Sequence, residues 1–491
     1  MPSAAASTRT TPATRDSRWL ALVVLCAGML MIILDQTIVN VALPSIRRDL
    51  GFSQSSLAWV VNAYLIPFGG LLLLAGRLGD LIGRRRMFLA GLAVFTTASL
   101  LCGVSGSQQM LVAARFVQGM GGAMTSAVIL GMIVTMFPEP RAQGKAIGVF
   151  SFVAAAGGSI GLLAGGVLSQ AINWHWIFFV NLPIGIVAAV LAARLLEADR
   201  GIGLGEGADL VGAFLVTTAL MLGVYTIVEA ADYGWGSAHT LGFGAIAAVL
   251  LAAFVARQLT ALHPLLPLRV FRSRNVSGAN LVQALMVAGL FGMFFLGALY
   301  LQRTLGYGPV QIGLAFMPVA LAIGTLSLGF SARLNERLGA RPVLLSGLTL
   351  IAGGLLVLTR VPASASYVVD LLPAMLLVGV GAGLSFPALM TLAMSGATPS
   401  DAGLTSGLVN TTAQVGGALG LSVLATLATS RTQSLLAGGG SISSALTGAY
   451  HLTSGIGAVL LAAAIVVAAT VLRPEPASQL ENAAASEPPA A

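Results

Sequence analysis

The stretch GRLGDLIGRRRMFLAG, Gly76–Gly91, returns further along the chain as ARLNERLGARPVLLSG, Ala332–Gly347, at a shift of 256 residues. Arg77 meets Arg333, Asp80 meets Glu336, Gly83 meets Gly339, Arg85 meets Arg341 and Gly91 meets Gly347. A second match lies at a shift of 259, where GGSIG (Gly157–Gly161) aligns with GGALG (Gly416–Gly420). Long apolar runs flank each copy. Two similar halves related by parallel duplication are an architecture of secondary transporters.

Composition sets the class around this repeat. Of 491 residues, 57% are hydrophobic and 9% charged, where a soluble domain carries about 25% charged residues. The mean hydropathy of +0.92 agrees. The apolar runs are long and continuous, unlike the short alternating strands of a membrane barrel. The 60 glycines suit close helix packing in lipid. The expected fold class is therefore an all-α polytopic membrane protein.

A span needs about 20 apolar residues. Fourteen segments qualify: 19–43, 57–76, 86–105, 109–136, 145–169, 174–195, 209–229, 240–261, 276–301, 311–331, 342–360, 369–393, 403–427 and 449–472. Six spans take about 200 residues, so the repeat shift leaves room for one extra hairpin, assigned to 209–261. The expected organisation is a cytoplasmic tail (1–18), an N-terminal six-helix bundle (19–200), a two-helix insert (201–262), a C-terminal six-helix bundle (263–472) and a disordered cytoplasmic tail (473–491). Alternating spans from a cytoplasmic N-terminus puts nineteen Arg and Lys residues inside and five outside, with Arg115 within a span. That bias predicts both termini inside the plasma or inner membrane. It also accounts for the net charge of +8 as topogenic, with no nucleic-acid partner.

The stretch MLMIILDQTIVNVALP, Met29–Pro44, carries one charge, Asp35. The apolar run before it, Trp19–Leu34, is about 24 Å long as a helix, short of a core of about 30 Å. Extending the span to Leu43 places Asp35 inside it, where an acid is costly and points to function. Arg115, in the fourth span, is its natural partner at similar depth. Burial raises an acid's proton affinity and a guanidinium lowers it. The pair is a candidate proton-coupling site, with a static ion pair as the alternative reading.

Polar residues within spans are candidate cavity lining: Gln36, Asn40, Asn62, Gln118, Asn181, Asn280, Gln283, Asn410 and Gln414. Each is equally suited to bonding helix to helix. Tyr64, Phe291, Phe294, Phe295 and Tyr300 offer aromatic surface to flat or cationic compounds. Cys26 and Cys102 lie in apolar runs without Cys or His partners, so neither a metal site nor a disulfide is expected. No G-x-x-x-x-G-K-[ST] loop occurs, and no nucleophile–base constellation stands out. The chain is expected not to be an enzyme and to need no cofactor, with an ion gradient as energy source.

These motifs resemble the Major Facilitator Superfamily, and within it the fourteen-span drug:proton antiporters, the EmrB/QacA-like multidrug exporters. LDQTIVNVALPSI is similar to that group's first-span signature. GRLGDLIGRRR resembles the loop between spans two and three, and RFVQGMGGA the basic fourth-span motif. NWHWIFFVNLPIG resembles the segment W-R-W-I-F-x-x-N-x-P-x-G, with His175 in the Arg place. PLLPLRVFRSRN resembles the segment before the second half. The fifth-span antiporter motif keeps Gly157, Gly161, Gly165 and Gly166 but has Leu162 where proline is expected, which removes a kink-forming residue.

The resemblance implies two six-helix bundles plus a two-helix insert, fourteen membrane helices in all. It implies export of small amphipathic or cationic compounds, drugs or antibiotics, in exchange for protons by alternating access. It makes Asp35 and Arg115 the proton-coupling residues. Gly76, Arg77, Gly79, Asp80, Gly83, Arg84 and Arg85 become a cytoplasmic gate that latches the inward-closed state. The expected partners are the bilayer, a small-molecule substrate and protons, with a monomer as the working unit. A dedicated exporter of one metabolite, antibiotic or lipid is the alternative on the same fold. A non-transporting membrane sensor or scaffold is the alternative from another class.

Overall fold

The computed structural model describes residues 15–197, 199, 201–203, 207–395 and 402–473. Most of the two expected tails lies outside the described residues. Every regular element described is helical. The first group comprises α1 (Arg15–Leu50), α2 (Ala58–Ile82), α3 (Arg84–Gly103), α4 (Gln108–Met136), α5 (Pro140–Ala171), the short α6 (Trp176–Phe179) and α7 (Asn181–Leu195). A hairpin of α8 (Leu210–Tyr233) and α9 (Ala238–Thr260) follows. The remaining helices are α10 (Arg274–Arg303), α11 (Pro309–Thr325), α12 (Ser331–Leu338), α13 (Ala340–Leu358), α14 (Leu372–Ser395), α15 (Ala402–Ala437) and α16 (Ile442–Thr470).

Among the described residues, twelve helical segments are long and apolar enough to cross a membrane. Two of the fourteen expected spans are not among these twelve. The expected span 145–169 falls within α5, a continuous helix from Pro140 to Ala171, of which Ile160–Ala171 is the apolar stretch among the described residues. The expected span 311–331 yields α11, Pro309–Thr325. Its helix widens to a π-turn at Leu326–Phe330 and then runs into α12, which is charged at Arg333, Glu336 and Arg337.

Packing gathers the helices into two groups. α1 lies against α5 and α7, α3 against α4 and α7, and α2 against α4. In the second group α10 packs on α15 and α16, α13 on α14 and α16, and α11 on α14. The groups meet along two seams, α5 with α11 and α2 with α15. Helix α8 lies over the second seam, touching both α2 and α15, while α9 packs on α8. α9 turns Leu241, Ile246, Val249 and Leu259 outward, as a lipid-facing helix does.

The sequence repeat is visible in the backbone. α2 ends at Gly83 with φ +103°, and α12 ends at the aligned Gly339 with φ +83°. Such a conformation is open to glycine and strained for other residues. Each glycine N–H bonds back four residues, to the carbonyls of Gly79 and Asn335. The chain thus turns the same way at matched positions of the two halves.

Candidate functional site

Asp35 and Arg115 meet inside the first helix group. Asp35 is 0% exposed and Arg115 1%, so neither charge is solvated and each depends on the other. Arg115 Nη1 donates to Asp35 Oδ2 at 2.5 Å. Arg115 Nε donates to the Val60 carbonyl at 3.0 Å, fixing the guanidinium to α2. Its face stacks over the Tyr64 ring, 4.4 Å from Cζ to the centroid, a favourable place for a cation in a dry site.

The second carboxylate oxygen is held by amides. Gln118 Nε2 donates to Asp35 Oδ1 at 2.8 Å, and Asn181 Nδ2 donates to the same oxygen at 3.0 Å. Gln118 also accepts from Arg115 Nη1 at 2.7 Å and donates to Ser99 Oγ at 2.7 Å. Gln118 lies three residues after Arg115 on α4, so both side chains leave the same helix face. Five elements therefore converge: α1, α2, α3, α4 and α7. Ser99 escaped the sequence reading, since a serine in an apolar run carries no charge to flag it.

The Gly76–Arg85 segment is tied down by a residue the sequence reading missed. Asp80 at the end of α2 pairs with Arg84 at the start of α3 at 3.0 Å, across the Gly83 turn. Arg84 also donates to the Gly131 carbonyl of α4 at 3.0 Å. The Asp199 carboxylate accepts from the backbone N–H groups of Arg84 (2.6 Å) and Arg85 (3.1 Å), capping the start of α3 as an anion should. Arg77 donates to the Gly207 carbonyl at 3.2 Å. A methyl group at Gly79 would lie 2.4 Å from Val128 Cγ1 of α4, so this turn of α2 is in close contact. Gly76 is looser, with Ala127 as its nearest neighbour at 4.0 Å.

The four glycines of α5 divide their contacts. Gly157, Gly161 and Gly165 face α1; a methyl at Gly165 would lie 2.7 Å from the Ile38 carbonyl oxygen. Gly166 faces the other group, 2.8 Å from the Pro309 oxygen by the same measure. Leu162 is buried, and its carbonyl oxygen abuts Gly313 of α11.

The candidate lining residues separate as well. Gln118 and Asn181 belong to the Asp35 network. Asn62 donates to Ser422 Oγ at 2.7 Å, a buried bond between the two groups. Asn280 accepts from Thr412 at 2.8 Å and is spent between α10 and α15. Asn40 and Asn410 bond to carbonyls of their own helices, Gln36 and Ser406. Gln36 itself is half-buried. Gln283 and Gln414 each keep a buried side-chain oxygen without a protein partner.

Comparison with known proteins agrees with this architecture. A model of the Major Facilitator Superfamily matches residues 25–421. A puromycin resistance protein of Streptomyces alboniger is 39% identical over 474 residues, covering 95% of this chain and 94% of that protein. A cephamycin export protein of Amycolatopsis lactamdurans is 39% identical over 416 residues, 84% of this chain and 85% of that one. Among solved structures, a bacterial homologue of the human lysosomal transporter Spinster, inward-facing and unoccupied, aligns with a TM-score of 0.64 at 16% identity, over 94% of this chain and 98% of that one. The twelve membrane-length helices, the duplicated turn and the family match make this multi-pass membrane protein a transporter, not an enzyme, and a member of the Major Facilitator Superfamily.

Proposed function

We propose that the protein exports small amphipathic compounds of the antibiotic type from the cell in exchange for protons. The observation that carries the reading is the buried Asp35–Arg115 pair. All three side chains bonded to the carboxylate are donors: Arg115, Gln118 and Asn181. A proton on Asp35 adds a fourth donor to a set with none to spare, and it leaves Arg115 buried without a counter-charge. The protonated and ionised states thus call for different packing of α1, α4 and α7. That difference is what a proton needs in order to drive a conformational exchange.

The relatives support the substrate class, since two of them are named for resistance to or export of an antibiotic. Export of one dedicated compound remains the second reading on the same fold. In this proposal α5 and the α11–α12 run also cross the bilayer, giving two six-span bundles and the α8–α9 insert. Both termini face the cytoplasm of the inner membrane, the loop at Gly83 latches the cytoplasmic side, the monomer is the working unit and no cofactor takes part.

Purified protein in proteoliposomes tests the mechanism with puromycin and a cephamycin as probes. An imposed pH gradient is expected to drive uphill movement of at least one probe, with stoichiometric proton counter-movement. Asp35→Asn is expected to abolish the uphill component while leaving exchange down a gradient. Full uphill transport by Asp35→Asn would overturn the proposal.

A further inference from the structure

The segment NWHWIFFVNLPIG, Asn173–Gly185, is absorbed by none of the functions above, yet it wraps the Asp35 site. Trp174 Nε1 donates to Asp49 Oδ2 of α1 at 2.8 Å. His175 Nδ1 lies 3.0 Å from the Gly103 carbonyl of α3. Phe178 sets its ring 5.7 Å from the Arg115 guanidinium carbon. The helix then breaks at Val180, so Asn181 is the first residue of α7. Further on, a methyl at Gly185 would clash with Thr96 of α3. Pinned at both ends, the segment presents Asn181 to Asp35.

Asn181 is fully buried, its Nδ2 on Asp35 Oδ1 at 3.0 Å. Its own Oδ1 is buried and has no hydrogen-bond partner. A buried acceptor left open is costly and calls for an explanation. We propose that this oxygen is the acceptor for the protonated form of Asp35, so that Asn181 is the positioning residue that sets the proton affinity of the carrier. With Asp35 ionised, the amide N–H donates to the carboxylate. With Asp35 protonated, the amide turns over and Oδ1 accepts the new O–H. An amide carries its donor and its acceptor on the same short arm, so turning it over exchanges one for the other. No bond other than the Asp35 O–H forms or breaks.

The titratable groups facing Asp35 are Arg115 on α4, Tyr64 on α2 and Cys102 on α3. Of these only Arg115 carries a fixed charge, and a cation there opposes protonation of Asp35. α11 carries no titratable side chain, the one on α7 is Arg194 at its far end, and those on α10 are Arg274, Tyr300 and Arg303 near its ends. On α5 only Arg141 and Lys145, in its opening turns, are titratable.

This inference rests on Asp35 being the proton carrier, and infrared titration separates the two claims without a substrate. Purified protein in nanodiscs is titrated, and the protonated-carboxyl band that vanishes in Asp35→Asn is followed. Asn181→Leu removes a donor to the charged form and an acceptor for the neutral one; the charge-assisted bond is the stronger, so the midpoint is expected to rise by about one pH unit, tenfold in proton affinity. The band is also expected to move to higher frequency, because the carboxyl O–H has lost its acceptor. Asn181→Ser, smaller and polar, is expected to shift both in the same direction by less, and it decides the matter if the leucine variant does not fold. A wild-type band that never titrates would sink the carrier reading and this inference with it. A band that titrates normally, with midpoint and frequency unmoved in the folded Asn181 variants, would overturn this inference alone.

Discussion

Arg85 and Arg341 do the same work at matched places in the two halves. Arg85 reaches from the start of α3 to the Ala193 carbonyl at the end of α7. Arg341 reaches from the start of α13 to the carbonyls of Ala468 (3.2 Å, from Nε) and Ala469 at the end of α16. Each places a cation on the exposed carbonyls of a helix C-terminus, where the helix dipole favours it. The duplicated turn therefore clasps the last helix of each group.

Truncating either arginine should loosen that clasp without touching proton coupling. Charge-assisted bonds of this kind contribute about 1.5–3 kcal/mol. Arg85→Ala and Arg341→Ala are each expected to lower the thermal unfolding midpoint in detergent. The pH dependence of transport is expected to stay as in the wild type.

The Asp35–Arg115 pair should respond very differently to single and double substitution. Removing one partner of a buried pair costs about 3–5 kcal/mol, because the other charge is left unpaired. Arg115→Gln is therefore expected to be strongly destabilised. Combining Arg115→Gln with Asp35→Asn removes both charges and is expected to recover much of the loss. A double-mutant cycle on unfolding midpoints measures the coupling. Strictly additive effects would contradict the pairing.

At the turn between α2 and α3, Gly83 and Asp199 are bound in one arrangement. A methyl at Gly83 would lie 2.8 Å from the Asp199 carbonyl oxygen, at a φ of +103°. Backbone strain of this kind costs about 1–3 kcal/mol, and losing an N-terminal cap about 1 kcal/mol. Gly83→Ala and Asp199→Ala are both expected to reduce transport of whichever probe the wild type moves while the protein still reaches the membrane. Hydrogen exchange at the start of α3 should rise in both.

Asp209 gives the inserted hairpin a pH signature. Burial alone would raise its proton affinity. The Gly212 N–H, the Gln258 amide and the Arg257 guanidinium outweigh that and hold its carboxyl below the ordinary carboxylate value. Its stabilising contribution is then complete above the unfolded value of about 3.9 and is lost as pH falls through the folded one. Asp209→Asn is expected to lower the unfolding midpoint at neutral pH, with a gap to wild type that narrows below about pH 4.

Much of the site was legible because charge in an apolar run is conspicuous. Asp35 and Arg115 stood out by that test, and span-length arithmetic put them at similar depth. Ser99 and Asp199 had no such signal. Ser99 is one small hydroxyl among apolar neighbours. Asp199 lies in a connecting segment and reaches 115 residues back along the chain to Arg84, a closure that no local pattern encodes. Asn181 was visible as a buried amide in a motif, but its partner depends on where α6 breaks. The expected span 311–331 differs from α11 because hydropathy does not register the π-turn at Leu326–Phe330.

Helix α8 is fastened to different halves at its two ends. Near Leu210 it belongs to the first group, through the Leu74–Ala213–Leu265 cluster and the packing of Thr217 on Gly70. Towards Tyr233 it belongs to the second, where Thr426 of α15 donates to the Ile227 carbonyl at 3.0 Å. It is a diagonal brace across a joint. Any relative movement of the two helix groups would therefore have to be taken up by a helix that is fastened to both.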